Sequence, residues 1–533
     1  MKVLILGGYG VFGGRLAELL CRDGHGVTVA GRDAAKAEAL AARLNCDALG
    51  LDRDGDLSAL RGFDAVVDAA GPFHAYGDDP YRFAKATLAA GAHYLDLSDE
   101  AAFCGGISAI DAEARAAGRA AISGLSSVPA ISSAAVTELA GDDGAEAIDT
   151  AILPGNRSPR GTSVMTSILS RSGRPFALWR GGRWTTARGW SEPRDYALPG
   201  GLVRQGWLIE VPDTALFPAH FGASSVVFRA GLELGVMRYG LAAFAALRRL
   251  VPFPVGPGLV RVFRWAADAL SPFGSGRGGM SVSVIAGGER RVWRLQAEDG
   301  DGPFVPAVAA RALLRRGTLT PGARPALGVV TLDEIEAAMS GLSVTTERHV
   351  EPWGSVFQRV LGPAFAGLPP EVAATHLTSD VTVLRGRASV ARGQGPWSRL
   401  IGALFRFPAA TDDIAVEVIK SVTPKGETWE RRFGTRRFRS HLSATPEGLS
   451  ETFAPFTFDI GLRVEDGSLH FPVRSGRIGR LRLPRWMLPV SDAREYVEDG
   501  RFRFDVRLLA PVTGGLIAHY RGWLLPAAED GGV

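Results

Sequence analysis

The first sixteen residues constrain the fold more than any other stretch, because a short apolar run leads there into a cluster of glycines. Residues 3–6 are apolar and uncharged, as in a strand buried on both faces. The pattern Gly8-x-Gly10-x-x-Gly13 follows and opens a helical segment. In the dinucleotide-binding fingerprint such glycines form a tight turn, admit a pyrophosphate and let the helix pack on the strand. The residues predicted to bind a nucleotide here are Gly7, Gly8, Tyr9, Gly10, Val11, Phe12 and Gly13.

The residue after the second predicted strand, 26–31, indicates which nucleotide is bound. An acid at this position would bind the ribose 2′-hydroxyl of NAD, but the chain has Arg32. A guanidinium can stack on adenine and pair with a 2′-phosphate, so NADP is favoured. Asp33 is predicted to be the N-cap of a helix over 34–44. Lys36 either adds to the phosphate site or is solvated.

Further strands are predicted at 48–52, 64–71, 93–100 and 120–124, separated by helical segments. This βαβ alternation predicts a doubly wound parallel sheet, the Rossmann arrangement. Asp52, at the end of the third strand, either contacts the adenine or closes a turn. Ala70 and Gly71, which end the fourth, are small enough for a cofactor to lie against them.

Three motifs together resemble the saccharopine dehydrogenase-like family. They are Gly-Gly-Tyr-Gly-x-x-Gly at 7–13, Ala-Gly-Pro-Phe-x-x-Tyr-Gly at 70–77 and His-Tyr-Leu-Asp-Leu-Ser-Asp-Glu at 93–100. The resemblance implies an NAD(P)-binding oxidoreductase with an α+β domain inserted after the sixth strand. It also implies that the segment 323–335 returns to the Rossmann core. Asp99 departs from the family pattern, which has glycine there.

Candidate catalytic residues lie where the predicted strands end, because ligands of such sheets bind outside the carboxyl ends of the strands. His74 and Tyr76 are candidate proton donors, and Ser98 is a third polar candidate. For each of them, a hydrogen bond within a loop or a helix cap is the alternative. Tyr81 and Lys85 have the Tyr-x-x-x-Lys spacing of short-chain dehydrogenases, but they follow the fourth strand rather than the fifth, so a chance helical spacing is favoured.

Composition limits the other classes of function. The chain has 533 residues, enough for about three domains by length. Its arginines are scattered and its net charge is only +4, so nucleic-acid binding has no support. No metal-ligand or hydrolase motif occurs, and no metal is predicted. Three cysteines, with neither a signal peptide nor a spanning stretch, predict a cytoplasmic protein.

Three domains are predicted: a Rossmann domain at 1–130, an α+β substrate or dimerisation domain at 131–345, and a mostly antiparallel β domain at 355–527. Residues 347–354 are predicted to be a linker. In the second domain, helices are predicted at 228–251 and 259–270. Their arginines suit either a lipid surface or, the favoured interpretation, a core helix with extended arginine side chains.

Beyond residue 355, apolar and polar residues alternate, for example over 502–508, as in a sheet with one wet face. The segments 429–434 and 520–523 resemble an uncharacterised bacterial domain that is fused behind saccharopine dehydrogenase-like modules. A curved sheet of this size can leave an apolar pocket, so capture of a substrate or lipid is one hypothesis. A dimerisation or packing module is the other.

The expected activity is NADP-dependent hydride transfer to or from a C=O, C=N or activated C=C bond of a small-molecule or lipid-like substrate. One alternative is a regulatory protein that binds NADPH without turnover. Another is an enoyl or keto reductase of lipid metabolism at a membrane surface, and formation of a homodimer is also left open.

Overall fold

The computed structural model describes residues 1–159, 161–251, 253–405 and 407–527. They form two compact units: one comprises residues 1–179 and 184–351, and the other combines residues 180–183 with the segment from Pro352 onward. A boundary within the first unit, at residue 130, stays a prediction.

The first 140 residues alternate short strands with helices. In chain order the elements are β1 (Lys2–Leu6), α1 (Val11–Arg22), β2 (Gly26–Gly31), α2 (Ala34–Leu44), β3 (Asp47–Gly50), β4 (Ala65–Asp68), α3 (Arg82–Ala89), β5 (His93–Asp96), α4 (Ala101–Gly106), α5 (Asp111–Ala116), β6 (Ala120–Ser123) and α6 (Ser132–Ala140).

The remainder of the first unit continues as β7 (Ala147–Leu153), α7 (Thr162–Arg171), β8 (Pro175–Arg180), β9 (Arg183–Arg188), β10 (Arg194–Ala197), β11 (Val203–Leu208), α8 (Pro212–Phe221), β12 (Ser225–Gly231), α9 (Gly235–Leu250), α10 (Pro257–Leu270), β13 (Gly278–Ala286), β14 (Glu289–Ala297), α11 (Val305–Arg316), β15 (Gly322–Pro325), α12 (Leu332–Ala338) and β16 (Val344–Pro352).

The first sheet has seven strands in the order β15-β6-β5-β4-β1-β2-β3, and all neighbouring strands are parallel. The strand order reverses between β1 and β4, which is where a doubly wound sheet leaves a crevice for ligands. The chain returns to this sheet near the end of the first unit, where β15 pairs with β6 and α12 follows. The fold is therefore α/β, with a Rossmann sheet at its N-terminus.

The second sheet of this unit has the order β10-β11-β12-β7-β13-β14-β16, and β8 pairs with β9 alone. Two sequence predictions are wrong here. The helix predicted from residue 228 begins only at Gly235, because Val226, Val227 and Phe228 lie in β12 and pair in parallel with β7. The predicted linker at 347–354 is largely strand β16.

The second unit contains α13 (Val356–Leu361), α14 (Pro370–His376), β17 (Val381–Arg392), α15 (Pro396–Leu404), β18 (Thr411–Thr423), β19 (Gly426–Phe433), β20 (Arg436–Thr445), β21 (Gly448–Phe453), β22 (Phe456–Ile460), β23 (Arg463–Glu465), β24 (Ser468–His470), β25 (Val473–Ile478), β26 (Leu481–Arg482), β27 (Val490–Glu498), β28 (Arg501–Leu509) and β29 (Leu516–Pro526).

These strands form one antiparallel sheet of 13 strands, in the order β23-β24-β27-β28-β29-β17-β18-β19-β20-β21-β22-β25-β26. The predicted antiparallel β architecture is thus confirmed. The alternation in β28 has the expected result, since Phe502 and Phe504 are buried while Arg501 is exposed. Across the described part of the chain, no helix is both long and apolar enough to span a membrane.

Candidate functional site

The glycine turn between β1 and α1 packs so closely that side chains would not fit. Gly7 has a positive φ of +70°, and a Cβ there would lie 2.7 Å from Cα of Ala70. A Cβ on Gly13 would lie 2.4 Å from the carbonyl oxygen of Gly7. Because these glycines have no side chains, the start of α1 can pack closely against the carboxyl end of the sheet, beside the end of β4.

The N-terminus of α1 offers unpaired backbone donors at this point. Gly10 is the N-cap residue, and no side chain caps the helix. The first amides of an α-helix have no partner within the helix, and the helix dipole makes this end positive. Val11, Phe12 and Gly13 supply those amides. The arrangement fits a pyrophosphate, which such helix ends bind through N–H groups.

At the end of β2, Tyr9 and Asp33 build a small platform. A Cβ on Gly31 would lie 2.4 Å from the Tyr9 ring, so the ring packs directly against this glycine. The Asp33 N–H donates to the Tyr9 hydroxyl (3.2 Å). The Asp33 carboxylate accepts from the Lys36 N–H and pairs with Lys36 Nζ at 2.8 Å, so the predicted N-cap is confirmed.

Arg32 lies in the chain between Gly31 and Asp33, and its side chain is exposed. It makes no hydrogen bond or ion pair with any other residue that the structure describes. Its guanidinium is therefore free to meet a ligand. Asp52 lies two residues beyond the end of β3 and accepts a hydrogen bond from the Asp54 N–H (3.1 Å), as a turn residue does.

The end of β4 holds a buried carboxylate. Asp68 accepts hydrogen bonds from the Ala70 N–H (3.0 Å) and from the Tyr76 hydroxyl (3.0 and 3.1 Å to its two oxygens). Burial raises the pKa of Asp68 to about 6. Burial and the neighbouring Asp68 also raise the pKa of Tyr76. Tyr76 is therefore held as a hydrogen-bond donor to Asp68, with the Arg53 guanidinium 3.6 Å from the centre of its ring.

A second buried carboxylate ends β5. Asp96 accepts from the Ser98 N–H (2.9 Å), the Ser123 hydroxyl (3.0 Å) and the Gly124 N–H (2.8 Å), so it joins the loops after β5 and β6. Burial raises its pKa to about 7. The Ser98 hydroxyl is buried and accepts from the Glu100 N–H (3.2 Å). Ser98 thus makes hydrogen bonds within its loop, as the structural alternative to a catalytic role predicts.

The exposed His74 and a cluster of charges face the same edge of the sheet. His74 and Arg171 both act electrostatically on the carboxylate of Asp99. Arg171, the last residue of α7, lies 3.6 Å from Glu100 and 3.8 Å from Glu210. Arg171 and Glu210, which lie in the part of the first unit that follows α6, therefore bring charged groups to the loops that follow β4 and β5.

Asp213, near the start of α8, is a buried carboxyl group without a partner. Its side chain is 1% exposed, and neither oxygen has a hydrogen-bond partner among the described residues. The nearby Ser132 hydroxyl donates to the Pro129 carbonyl instead (3.2 Å). Burial raises the pKa of Asp213 to about 8, against a smaller opposing effect of Ser132.

Four site residues were not predicted individually from the sequence: Asp68, Asp96, Arg171 and Asp213. For the first two a signal existed, because each is a lone acid that ends an apolar strand. For Arg171 and Asp213 none existed, because their positions depend on how α7 and α8 pack.

The chance interpretation of Tyr81 and Lys85 is supported by their contacts. The Tyr81 hydroxyl donates to the Phe103 carbonyl (2.8 Å), and Lys85 Nζ pairs with Asp79 (3.0 Å). The lysine therefore interacts with an acid rather than activating the tyrosine. Among the residues described, no three His, Cys, Asp or Glu side chains are grouped to hold a metal ion.

The fold and this site are those of a nucleotide-binding Rossmann domain, as found in NAD(P)-dependent oxidoreductases, in which the nucleotide lies across the carboxyl edge of the sheet. Residues 3–122 match the model of the saccharopine dehydrogenase NADP binding domain. Residues 368–524 match the model of a domain of unknown function, DUF4166. The family resemblance drawn from the sequence motifs is confirmed over these two segments.

Several solved structures are similar to this chain. An apo saccharopine dehydrogenase (L-Glu forming) from Saccharomyces cerevisiae is 15% identical over 65% of this chain and 99% of its own, with a TM-score of 0.46. A UDP-N-acetylglucosamine 3-dehydrogenase from Acidithiobacillus ferrooxidans is 12% identical over 64% and 95%, with a TM-score of 0.29. An imine reductase from Myxococcus stipitatus with NAD+ is 20% identical over 22% and 38%, with a TM-score of 0.18. No curated protein matches the chain.

Proposed function

We propose that the first unit is an NADP-dependent oxidoreductase that moves a hydride to or from a C=O, C=N or activated C=C bond. The observation that carries the preference for NADP is the free Arg32 guanidinium at the end of β2. An acid at this position would select NAD through the ribose 2′-hydroxyl. A guanidinium would instead pair with a 2′-phosphate by a charge-assisted hydrogen bond.

The residues of this chain would divide the work of binding along the sheet edge. Residues 7–13 hold the pyrophosphate through backbone N–H groups, and Arg32 and Lys36 hold the 2′-phosphate. Ala70 and Gly71 leave room beside the end of β4. When bound, the nicotinamide supplies or accepts the hydride.

His74 is the proton donor of this proposal. It is exposed on the loop after β4 and makes no hydrogen bond to another described residue. Tyr76 is instead committed to Asp68, and Ser98 is buried in its loop. We therefore assign Tyr76 and Ser98 to positioning the loops, while His74 exchanges the proton with the substrate.

Titration of the purified chain with NADPH and with NADH tests the proposal, with intrinsic fluorescence or calorimetry as the measurement. We expect NADPH to bind more tightly. If neither nucleotide binds, the proposed function is wrong. Turnover is then measured with panels of carbonyl, imine and enoyl compounds. Binding of NADPH without oxidation by any of them would favour the regulatory alternative.

A second proposal, contact with a membrane surface, is favoured by exposed apolar side chains around α9 and α10. Leu250 is 79% exposed and Trp265 is 72% exposed. Arg248, by contrast, is buried and donates to the carbonyls of Leu169 and Ser172 (2.6 and 2.7 Å), so it does not face a lipid surface.

Flotation with vesicles that contain phosphatidylglycerol tests the membrane proposal. We expect Leu250→Glu combined with Trp265→Glu to lose flotation, and Val203→Glu, an exposed apolar position on β11, to keep it. Equal flotation of all three proteins would contradict the proposal. We also propose a cytoplasmic location, which the three free cysteines support. Formation of a homodimer is a further proposal, and light scattering of the purified chain tests it.

A further inference from the structure

The second unit contains a cavity of about 420 Å³ that is open to solvent on one side. Its wall is one face of the antiparallel sheet, so every second residue of a strand lines it: Val416, Val418 and Lys420 in β18, and Phe504 and Val506 in β28. Ligand pockets typically span roughly 300–1,000 Å³. The cavity therefore has room for one small organic molecule.

Aromatic rings make up much of the wall. Tyr520 lies with its ring centre 5.6 Å from that of Phe433 and 6.4 Å from those of Phe407 and Phe504. Phe438 stacks on Phe433 at 5.9 Å. Such a surface gains most by excluding water from hydrocarbon, so it favours an alkyl chain or a ring system over a sugar or a nucleotide.

The rim of the cavity is apolar as well. Leu400 and Leu404 of α15 line the cavity and are more than half exposed. Met487 lines it from the segment 481–487, in which Leu481 and Trp486 are also largely exposed. An entrance bounded by exposed apolar side chains suits an apolar ligand.

Two of the cations on the wall, Arg431 and Lys420, already have polar partners. Arg431 donates to the Ser440 hydroxyl (2.8 Å) and to the Glu451 carboxylate (3.0 Å). The second cation, Lys420, is buried, donates to the backbone carbonyl of Thr375 and lies 3.9 Å from the centre of the Trp429 ring.

Glu495, the acid that acts on Lys420, is paired with His376. The remaining cation of the lining, Arg494, is exposed, and its guanidinium lies 4.8 Å from the centre of the Tyr496 ring. Lys420 and Arg431 already have a carbonyl or an acid as partner, and Arg494 is exposed to solvent. A free carboxylate that enters the interior of the cavity would therefore lack a counter-ion there and would have to be desolvated. A neutral ligand avoids this cost.

The Tyr520 hydroxyl, on the wall of the cavity, is free to meet a ligand. The Tyr520 hydroxyl makes no hydrogen bond with any other residue that the structure describes. Burial raises the pKa of Tyr520 to about 12, so the hydroxyl keeps its proton and remains a donor at neutral pH. Its natural partner is a carbonyl or hydroxyl oxygen.

We propose that this cavity binds one neutral, elongated, apolar molecule that carries a carbonyl or hydroxyl oxygen, and that Tyr520 donates a hydrogen bond to this oxygen. The proposal rests on the second unit alone and does not depend on the nucleotide site.

Displacement of a neutral fluorescent probe, N-phenyl-1-naphthylamine, from the full chain tests the proposal. We expect saturable binding at one site, with displacement by hexadecan-1-ol and methyl hexadecanoate. Sodium hexadecanoate should compete at least about tenfold more weakly, because its charge must be desolvated. Absence of saturable probe binding would overturn the cavity as a ligand site. Competition by hexadecanoate equal to that of the methyl ester would overturn the choice of a neutral ligand.

Two variants on one strand locate the probe. Val506→Phe places a larger side chain on the cavity face of β28 and should abolish probe binding. Arg507→Phe introduces a phenylalanine on the opposite, exposed face of β28 and should leave probe binding unchanged. If both variants bind the probe as the wild type does, the ligand is not in the cavity and the proposal is wrong.

Tyr520→Phe tests the polar contact and keeps the volume of the side chain. The probe, which lacks an oxygen, should bind as before, whereas the alcohol and the ester should compete about five- to tenfold more weakly. Unchanged competition would refute the role of the hydroxyl. This variant also decides the question if circular dichroism shows that Val506→Phe does not fold.

Discussion

The Arg311 guanidinium donates two hydrogen bonds to the Asp23 carboxylate, from Nε to Oδ2 and from Nη2 to Oδ1, both at 2.8 Å. The Arg311 side chain is buried and that of Asp23 is 9% exposed, and 288 residues separate them. Asp23 caps the end of α1, and Arg311 lies on α11, so the pair fastens the returning chain to the Rossmann core. Arg315 also donates to Asp23.

Removing the acid from this group should destabilise the first unit. Breaking a buried ion pair leaves an unpaired charge at a cost of about 3–5 kcal/mol, so Asp23→Asn should lower the free energy of unfolding by about 3 kcal/mol. Urea denaturation measures it. Arg115→Ala, which removes an exposed partner of Asp111, should cost less than about 1 kcal/mol. Equal effects would show that the buried pair contributes little.

The same group gives a pH dependence. Although burial alone would raise the pKa of Asp23, hydrogen bonds from Arg311 and Arg315 hold it well below its usual range. A depressed carboxyl pKa stabilises the fold above the pKa of the unfolded chain, and this stability is lost as the pH falls below about 4. The melting temperature of the wild type should therefore fall more steeply between pH 5 and pH 3 than that of Asp23→Asn. Parallel curves would contradict this.

Asp213 should show the opposite sign. Burial raises its pKa to about 8, so the folded state favours the protonated acid. Its stabilising contribution is present below the pKa of the unfolded chain and is lost as the pH rises from about 4 towards 8.

Asp213→Asn should therefore raise stability at pH 8.5 by roughly 1–3 kcal/mol and have a smaller effect at pH 5. Differential scanning fluorimetry at the two pH values measures this difference. Asp268→Asn, at a position 76% exposed, is the matched control and should change neither melting temperature. The same effect of Asp213→Asn at both pH values would mean that the acid does not titrate as proposed.

Two neighbouring glycines of α1 separate the steric requirement of the nucleotide turn from a general effect of alanine. A Cβ on Gly13 would lie 2.4 Å from the Gly7 carbonyl oxygen, whereas one on Gly14 would lie 3.4 Å from its nearest neighbour. Gly13→Ala must shift the turn and should weaken NADPH binding by about tenfold or more, which is at least ~1.4 kcal/mol. Gly14→Ala should bind NADPH as the wild type does. Fluorescence titration compares them, and equal affinities would exclude residues 7–13 as the phosphate site.

The choice between the two nucleotides tests Arg32 itself. Arg32→Ala should weaken NADPH binding by about 1.5–3 kcal/mol, the value of a hydrogen bond to a charged group, and leave NADH binding nearly unchanged. The matched control is Arg43→Ala, which removes an exposed arginine from the far end of α2. An equal loss for both nucleotides would show that Arg32 acts through the structure of the loop.

The Rossmann part of the fold could be predicted because its signals are local. Strands such as β1 and β4 are continuous apolar runs, and the glycine spacing fixes the turn between β1 and α1. The helix predicted at 228–251 was wrong at its start because an apolar run does not show whether it will pair with β7 or pack as a helix. Its first residue, Phe228, is aromatic, and the two residues before it, Val226 and Val227, are β-branched, a combination that favours a strand.

The charged part of the candidate site depends on contacts distant in sequence and could not be predicted. Arg171 and Glu210 come to the loop of Glu100 only through the packing of α7 and the segment before α8. Arg248 has the sequence pattern of a surface arginine, yet it is buried because carbonyls at the end of α7 accept its hydrogen bonds. No local sequence pattern predicts which backbone carbonyls will lack hydrogen-bond partners within their own helix.

The second unit should fold independently of the first. From Pro352 onward, the chain has its own sheet and its own buried apolar cluster. In this region the centre of the Phe357 ring lies 3.8 Å from that of His376 and 5.5 Å from that of Trp429. A segment of this length is sufficient for an independent core. Residues 352–533 expressed alone should therefore give a β-rich circular dichroism spectrum and a cooperative melt.

Deletion of the same residues should leave NADPH affinity intact, because every residue proposed to bind the nucleotide precedes residue 130. Calorimetric titration of the remaining chain, residues 1–351, against the full chain makes the comparison. An unfolded C-terminal fragment would refute its independence. A truncated chain that melts cooperatively but no longer binds NADPH would refute the proposed separation of nucleotide binding from the second unit. If the truncation merely unfolded the first unit, the cooperative melt would be lost together with NADPH binding.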